Sequence, residues 1–366
     1  MIQKTPVDLA KKSLAGESLS FELFQTLLDS NKTPLTSLLD AAYTVRQEHC
    51  GKDVHIHIIN NAKNGNCPED CSYCAQAKTS EAEIADYPIK TDDEIMLEAK
   101  QAYDSGAHRY CMVFAGRGPS KGRVKKLSQL IQDIKATYPI EICVSPGLID
   151  DDDAVQLKKA GLDRLNHNLN TSEKMYEKIC TTHTFQDRLN TLNSAKKAGL
   201  AMCAGMIIGM GETDADIYEV LTKLREIETK SIPVNFYIPI EGTLLFDKEN
   251  PLKNLSPDKC LRVLCLARLL NPTAEIRAAA GRELHLRSMQ ALALYPANSL
   301  FMDGYLNTKG ANTFDTLEMI KDAGFDIKSD KKLDDLIALS GLLKPKEKPS
   351  DSSKVVMKQL EDLKVS

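Results

Sequence analysis

The chain has no tryptophan, which by itself excludes nothing, and only 5% of its 366 residues are aromatic. It has no apolar run approaching the ~18 residues that a membrane-spanning helix requires. It has no basic stripe of the kind that follows a phosphate backbone, and its net charge of −4 is spread over interspersed acids and bases. The opening Met1-Ile-Gln-Lys-Thr-Pro-Val-Asp lacks a charged-then-apolar signal pattern. These absences argue against a membrane or nucleic-acid partner and make the cytoplasm the expected setting. In that setting the ten cysteines are expected to be reduced thiols or metal ligands rather than disulfides.

What is present is an ordinary globular composition, 42% hydrophobic and 27% charged, with room for one large domain or two ordinary ones. Residues 1–50 read as a helical cap, with Phe21, Phe24, Leu27 and Leu28, then Leu35, Leu38, Leu39 and Tyr43, at helical spacing. From Val54 the pattern alternates strand and helix. Strands are expected at 54–60, 109–115, 141–146, 164–170, 201–208, 232–239, 275–280 and 297–303. Thr91 with Glu94 fits a capping box, and Ser256-Pro257 fits an N-cap followed by proline. Eight strand–helix units over 51–325 predict an α/β fold, a (β/α)8 TIM-type barrel, in preference to an open doubly wound sheet. Residues 326–366 form a C-terminal extension, with a mobile linker expected at 344–353 and a short helix at 354–364.

The first expected strand leads into Cys67-Pro-Glu-Asp-Cys71-Ser-Tyr-Cys74. Three thiolates at C-x3-C-x2-C spacing suit a four-iron cluster with one iron left open to substrate, whereas a structural metal site normally has four ligands. The stretch resembles the radical S-adenosylmethionine (SAM) enzymes. That resemblance implies a [4Fe–4S] cluster held by Cys67, Cys71 and Cys74, whose open iron chelates SAM. The alternative is a zinc knuckle or three unrelated thiols.

Several strands carry polar or thiol groups where bulky branched residues would fill a packed barrel. They are Cys111, Cys143, Cys203, Asn235 and Arg277, with Asn166, Asn168 and Asn170 expected on one strand face. Their same-face neighbours Ala115, Ser145, Gly205 and Ala279 are small. If that face points inward, the barrel encloses a polar cavity, and a buried charge or amide there needs a partner. Each residue also has a plainer reading: a strand cysteine as a small hydrophobe, Asn168 as a satisfied core amide, Arg277 paired with Glu283. His55, His57, His167 and His183 read as structural, and Cys50, Cys180, Cys260 and Cys265 as incidental.

Over about residues 50–325 the sequence resembles the biotin synthase family. The matching stretches are the cysteine loop, Tyr110-Cys-Met, Asn166-His-Asn-Leu-Asn-Thr-Ser172, Gly209-Met-Gly-Glu-Thr213, Ser231-Ile-Pro-Val-Asn235, Ile276-Arg-Ala-Ala-Ala-Gly-Arg-Glu283 and Ala297-Asn-Ser-Leu-Phe301. The resemblance implies a [2Fe–2S] cluster on Cys111, Cys143, Cys203 and Arg277, a ligand set that ordinary metal preferences would not suggest. It implies SAM contacts from Tyr73, Asn168, Asn170, Arg188, Ile207 and Gly209, and substrate contacts from Asn168 and Asn235. Gly205 and Gly209 would let the backbone approach the adenine. Asn170 stands where some relatives carry an acid, so its grip on the ribose would be weaker. The implied reaction is sulfur insertion into dethiobiotin at C9 and C6, with the two-iron cluster as sulfur donor. It brings with it a reducing electron-transfer protein, iron–sulfur assembly machinery and a homodimer. Another radical SAM reaction on the same barrel would share the loop triplet without the inner ligand set.

Overall fold

The computed structural model describes residues 5–246 and 255–342; the expected linker at 344–353 and helix at 354–364 lie outside them. Ten strands occur among these residues: β1 Asp53–Lys63, β2 Arg109–Phe114, β3 Glu141–Ser145, β4 Arg164–Asn166, β5 Ala201–Cys203, β6 Met206–Ile208, β7 Ser231–Phe236, β8 Glu275–Ala278, β9 Ser299–Phe301 and β10 Asp326–Ile327. The order β1-β2-β3-β4-β5-β7-β8-β9 is closed by parallel pairing of β9 with β1, so the predicted eight-stranded parallel barrel forms. Helices follow the strands, many started by side-chain caps. Thr91 and Glu94 make the expected capping box, and Thr184 with Asp187 and Thr213 with Asp216 repeat it. Each such cap satisfies backbone N–H groups that the first helical turn leaves without partners.

The expected strand 201–208 is interrupted. β5 ends at Cys203 and β6 restarts at Met206, pairing only with β7. Gly205 lies at the break because a Cβ there would fall 1.9 Å from the Pro233 carbonyl oxygen. Likewise Gly209 has φ +96°, and a Cβ would meet Leu255 at 2.8 Å. The close Pro233 carbonyl at Gly205 and the positive φ at Gly209 therefore favour glycine at both positions, independently of any approaching adenine. The expected strand 164–170 stops at Asn166. Asn170 adopts φ +70°, a left-handed conformation asparagine tolerates better than most residues, so the three asparagines do not share a strand face.

The helix Pro257–Leu270 is buried on all sides, between the barrel and the N-terminal helices Pro6–Leu14, Phe21–Leu28 and Leu35–Cys50. Its polar residues make bonds that hold the helical cap to the body. Arg262 donates to Leu27 O at 2.9 Å, and Ser13 donates to Leu269 O at 2.7 Å. Beyond residue 325 the chain adds β10 beside the start of β1, then the helix Leu333–Leu342. This part was too short in apolar period to be read from sequence.

Candidate active site

The cysteine loop leaves the C-terminal end of β1. Its backbone is tied on both sides: Ser72 N to Ile179 O at 2.8 Å, Leu245 N to Ser72 O at 2.9 Å, Cys67 N to Gln76 O at 3.2 Å. Cys67, Cys71 and Cys74 line the mouth of a cavity of about 270 Å³. Its other walls are the C-terminal ends of the barrel strands, including Ser145, Asn166, Asn235 and Ile207. That end is where (β/α)8 barrels carry their chemistry. Burial pushes the Cys67 thiol up, and the Cys74 thiol up to about 11, so a metal must displace protons to bind.

Among the described residues, neither Cys67/Cys71/Cys74 nor Cys111/Cys143/Cys203 brings all three sulfurs within 4.8 Å of one another. A single tetrahedral ion, with metal–sulfur bonds near 2.3 Å, would draw them to about 3.8 Å. That spread gives no support to a zinc knuckle on the loop.

Around the cavity, Tyr73 Oη accepts from Asn170 Nδ2 at 2.6 Å. Asn168 Oδ1 accepts from Gly205 N at 3.0 Å, and among the described residues its Nδ2 has no hydrogen-bond partner. Asn235 is held more firmly: Nδ2 donates to Met206 O at 3.0 Å and Oδ1 accepts from Ala280 N at 3.3 Å. Arg188 donates to Asn168 O at 2.8 Å and to the Tyr176 hydroxyl, and lies 2.8 Å from His183 Nε2. Although it lies on the helix Phe185–Lys197, it is only 9% exposed. Gly209 N donates to Glu212 Oε1 at 2.7 Å, which fixes the turn after β6. Ile207 lines the cavity, while Gly209 sits behind it.

Deeper in the barrel, a recess of about 30 Å³ shares Asn166, Asn168, Asn235 and Tyr305 with the larger cavity. Cys111, Cys143, Cys203 and Arg277 converge on it. Cys111 and Cys143 face each other across β2 and β3. The three thiols form a buried cluster separate from the main hydrophobic core. The Cys111 thiol is pulled down by its bond with Cys143, and burial is offset there by the Arg277 and Arg109 charges. Cys143 is pushed up by the same bond.

Arg277 is fixed by a network that the sequence did not suggest. Its Nε donates to Ser299 Oγ at 3.0 Å, and its Nη2 to Ser231 Oγ at 2.9 Å and Glu275 Oε1 at 2.6 Å. That leaves Nη1 directed at Cys203 Sγ, 3.7 Å away. The partner is thus Glu275 and not Glu283, which pairs with Arg282 at 2.8 Å. Glu275 also takes Arg109 Nη1 at 3.2 Å and lies 3.0 Å from His57 Nε2 and His55 Nδ1. Arg164 Nη1 is 3.0 Å from it, though not aligned as a hydrogen bond. Burial opposes ionisation of Glu275, but Arg109 and its other neighbours outweigh it and hold the carboxyl well below the usual range. His57 is held neutral by burial and by Arg277 and Arg109. It also touches Cys111 Sγ at 3.7 Å, so it belongs to the site's surroundings.

Two further residues were missed. Cys180 Sγ lies 3.7 Å from Cys71 Sγ, and His183 Nδ1 lies 3.3 Å from Cys180 Sγ. Neither shares a local motif with the loop triplet; the Ser72–Ile179 backbone bond brings them together. Cys50, Cys260 and Cys265 stay remote from both cavities.

Comparison with known proteins now bears on this geometry. Residues 63–224 match the radical SAM superfamily, and residues 233–326 match the biotin and thiamin synthesis associated domain. A biotin synthase from Magnetococcus marinus is 51% identical over 317 residues, 87% of this chain and 98% of that protein. A biotin synthase from Acaryochloris marina is 52% identical over 308 residues, 84% of this chain and 88% of that one. One from Lysinibacillus sphaericus is 42% identical over 326 residues, 89% of this chain and 97% of that protein. The crystal structure of a methylornithine synthase superposes with a TM-score of 0.74 at 22% identity, covering 90% of this chain and 99% of that one, a likeness of fold alone. With that extent of identity to named relatives, carried across both the radical SAM and the associated domain, the chain belongs to the biotin synthase family.

Proposed function

We propose that this chain inserts sulfur into dethiobiotin at C9 and C6 from a [2Fe–2S] cluster held by Cys111, Cys143, Cys203 and Arg277, with Cys67, Cys71 and Cys74 holding the [4Fe–4S] cluster. Biotin synthesis by radical SAM chemistry, with SAM and a four-iron cluster, is the activity of its family. The observation that carries the finer reading is the convergence of three thiols and one oriented guanidinium on a recess that opens into the cavity bordered by the cysteine loop. A substrate in that cavity has one thiol set at the mouth and the other at the barrel centre. When bound, the clusters and SAM supply the electron, the hydrogen-abstracting radical and the sulfur atom.

The chain's own residues bind, orient and shield. Arg188, anchored on Asn168 O and Tyr176, presents a fixed guanidinium to a carboxylate. Asn168 offers the N–H groups of its unengaged Nδ2 to a ribose or a cyclic urea. Asn235 retains one N–H and spare acceptor capacity, and its backbone bonds fix the direction of both. Tyr73 and Asn170 support each other at the cavity wall. Glu275 and Ser299 leave Arg277 a single nitrogen facing the recess. Tyr305 and Phe301 line the recess and limit water there.

A cluster that yields a sulfur atom has to be rebuilt, and the radical step needs a strong reductant. A reducing electron-transfer protein and iron–sulfur assembly machinery, in the cytoplasm, therefore belong to the same proposal, as does a homodimer. No helix among the described residues is long and apolar enough to cross a membrane.

Iron and acid-labile sulfide per chain after anaerobic reconstitution test the ligand reading. About six irons are expected, from one four-iron and one two-iron cluster; about four would remove the proposed sulfur donor. Cys143→Ala is expected to keep SAM cleavage and lose biotin formation. Parental biotin yields from that variant would refute the donor assignment.

A further inference from the structure

Cys180 and His183 have no part in the reading above, yet both stand against the loop cysteine Cys71. Among the described residues, Cys71, Cys180 and His183 are the group whose ligand atoms all lie within 4.8 Å of one another. All three are buried, at 8%, 4% and 6% exposure. The Sγ–Sγ separation is 3.7 Å and the Cys180 Sγ–His183 Nδ1 separation is 3.3 Å. A tetrahedral zinc-type ion, with bonds of ~2.3 Å to sulfur and ~2.0–2.1 Å to nitrogen, has edges of about 3.8 Å and 3.5 Å. These two separations lie within a few tenths of an ångström of those edges.

Around them the structure supplies charge balance. Glu69 Oε2 lies 2.5 Å from His183 Nδ1, and Asp70 Oδ1 lies 3.3 Å from Cys180 Sγ. Asp70 Oδ1 accepts from Thr181 N at 2.9 Å, which fixes the Cys180 loop against the cysteine loop. Two thiolates and two carboxylates outweigh a divalent cation, and Arg117 and Arg188 balance the remainder.

We infer that the cluster-free chain binds a thiophilic divalent cation of the zinc class through Cys71, Cys180 and His183, with a solvent molecule completing the tetrahedron. Binding releases the two thiol protons. The His183 proton moves from Nδ1 to Nε2, where Tyr176 Oη, 2.8 Å away, accepts it. Arg188 then gives up its contact with Nε2 and keeps Asn168 O. Cys71 cannot serve this ion and an iron cluster together, so the two are mutually exclusive. That exclusivity rests on the assignment of Cys71 to the [4Fe–4S] cluster. The site holds the chain in a metal-loaded state that iron–sulfur assembly must displace.

The test uses the full-length, cluster-free chain and Co²⁺ alone as an optical probe. Parent protein is expected to give thiolate-to-cobalt charge transfer and the intense visible bands of tetrahedral cobalt. Cys180→Ala and His183→Gln are expected to weaken cobalt affinity at least about tenfold, since even outer contacts to a metal ligand carry that much. Cys67→Ala, which leaves the three ligands intact, is expected to keep the cobalt spectrum and lose the four-iron cluster, while Cys180→Ala still takes up four-iron iron. Circular dichroism checks that each variant is folded, and either ligand variant suffices if the other is not. An octahedral or thiolate-free cobalt spectrum in the parent overturns the inference. So does an unchanged spectrum in both ligand variants, or loss of the spectrum in Cys67→Ala, which would place cobalt on the loop triplet. A Cys67→Ala chain that keeps its four-iron cluster would instead overturn the ligand assignment under Proposed function and leave the cobalt site standing.

Discussion

Replacing Glu275 by glutamine should be among the most destabilising isosteric changes in this chain. The side chain is 4% exposed and faces Arg109, Arg164 and Arg277, at 3.2, 3.0 and 2.6 Å. Its histidine neighbour His57 stays neutral. Glutamine keeps the shape and removes the charge, so Arg109 and Arg164 are left with Glu141, which is 38% exposed, and Arg277 loses the one carboxylate it pairs with among the described residues. Breaking a buried ion pair from one side costs about 3–5 kcal/mol, because the surviving charge stays buried. The entropy of unfolding scales as ~2.1 cal/mol/K per residue, about 0.8 kcal/mol/K for 366 residues. The expected fall in melting temperature is therefore about 4–6 °C. Thermal unfolding of the cluster-free chain, followed by circular dichroism and calorimetry, measures it. The double variant Glu275→Gln, Arg277→Met removes one orphaned charge and should recover about 1–3 kcal/mol relative to additivity. A Glu275→Gln chain melting within about 1 °C of the parent would show that the carboxylate does not hold these guanidiniums, and the argument that it orients Arg277 would fall with it.

Acid should also destabilise the fold. His167 and His285 are held below the ordinary imidazole range, in both cases first by burial. Below about pH 6.5 the unfolded chain takes up protons that the folded chain refuses, so each contributes stability that is lost as pH falls, by up to ~1.4 kcal/mol per pH unit. Urea midpoints at pH 8, 7, 6 and 5 should decline below 6.5, and His285→Gln should flatten the decline; level midpoints would refute the assignment. Gly205→Ala drives a Cβ to 1.9 Å from Pro233 O, between backbones that cannot retreat, and should cost ~3 kcal/mol or more. An unchanged melting temperature would show that β5 and β6 can separate. Arg188→Lys loses the contacts to Tyr176 and His183 that fix the guanidinium. It should raise the KM for SAM by about tenfold or more, at ~1.5–3 kcal/mol per charged hydrogen bond, with melting changed far less; an unchanged KM would remove Arg188 from the SAM site.

These predictions divide according to how they were reached. The barrel was legible because it is written in local period: eight apolar runs, each followed by a helical pattern, with caps such as Thr91 and Glu94 that the structure reproduces. The cysteine loop was legible because its spacing sits in eight consecutive residues. The break at Gly205 was not, because it depends on Pro233 from the neighbouring strand, and no window of sequence contains both. The same holds for the stretch after Asn166, where β4 ends four residues before the left-handed Asn170 although alternation alone would have continued the strand.

Glu275 and Cys180 show where sequence reading stops for a physical reason rather than from want of pattern. Arg277 was singled out as a charge in a strand, and a buried charge requires a counter-charge. The sequence offers Glu275 two residues before it and Glu283 six after. Residues two apart on a strand share a face, a relation that the pairing with Glu283 left aside. The choice depends, however, on whether β8 runs through both positions, and it ends at Ala278. Glu283 lies beyond that end in a short helix and is spent on Arg282. Cys180 poses the harder case, because nothing local to it differs from an ordinary buried thiol. The backbone hydrogen bond Ser72 N to Ile179 O, the Asp70 contacts to Thr181 and Thr182 and the Glu69 contacts to Thr182 and His183 bring it against Cys71. Weakening the Asp70 contacts with Asp70→Asn should loosen the Cys180 loop and lower cobalt affinity while all three proposed cobalt ligands remain in the chain. A variant that binds cobalt as tightly as the parent would show that the loop holds its place without Asp70.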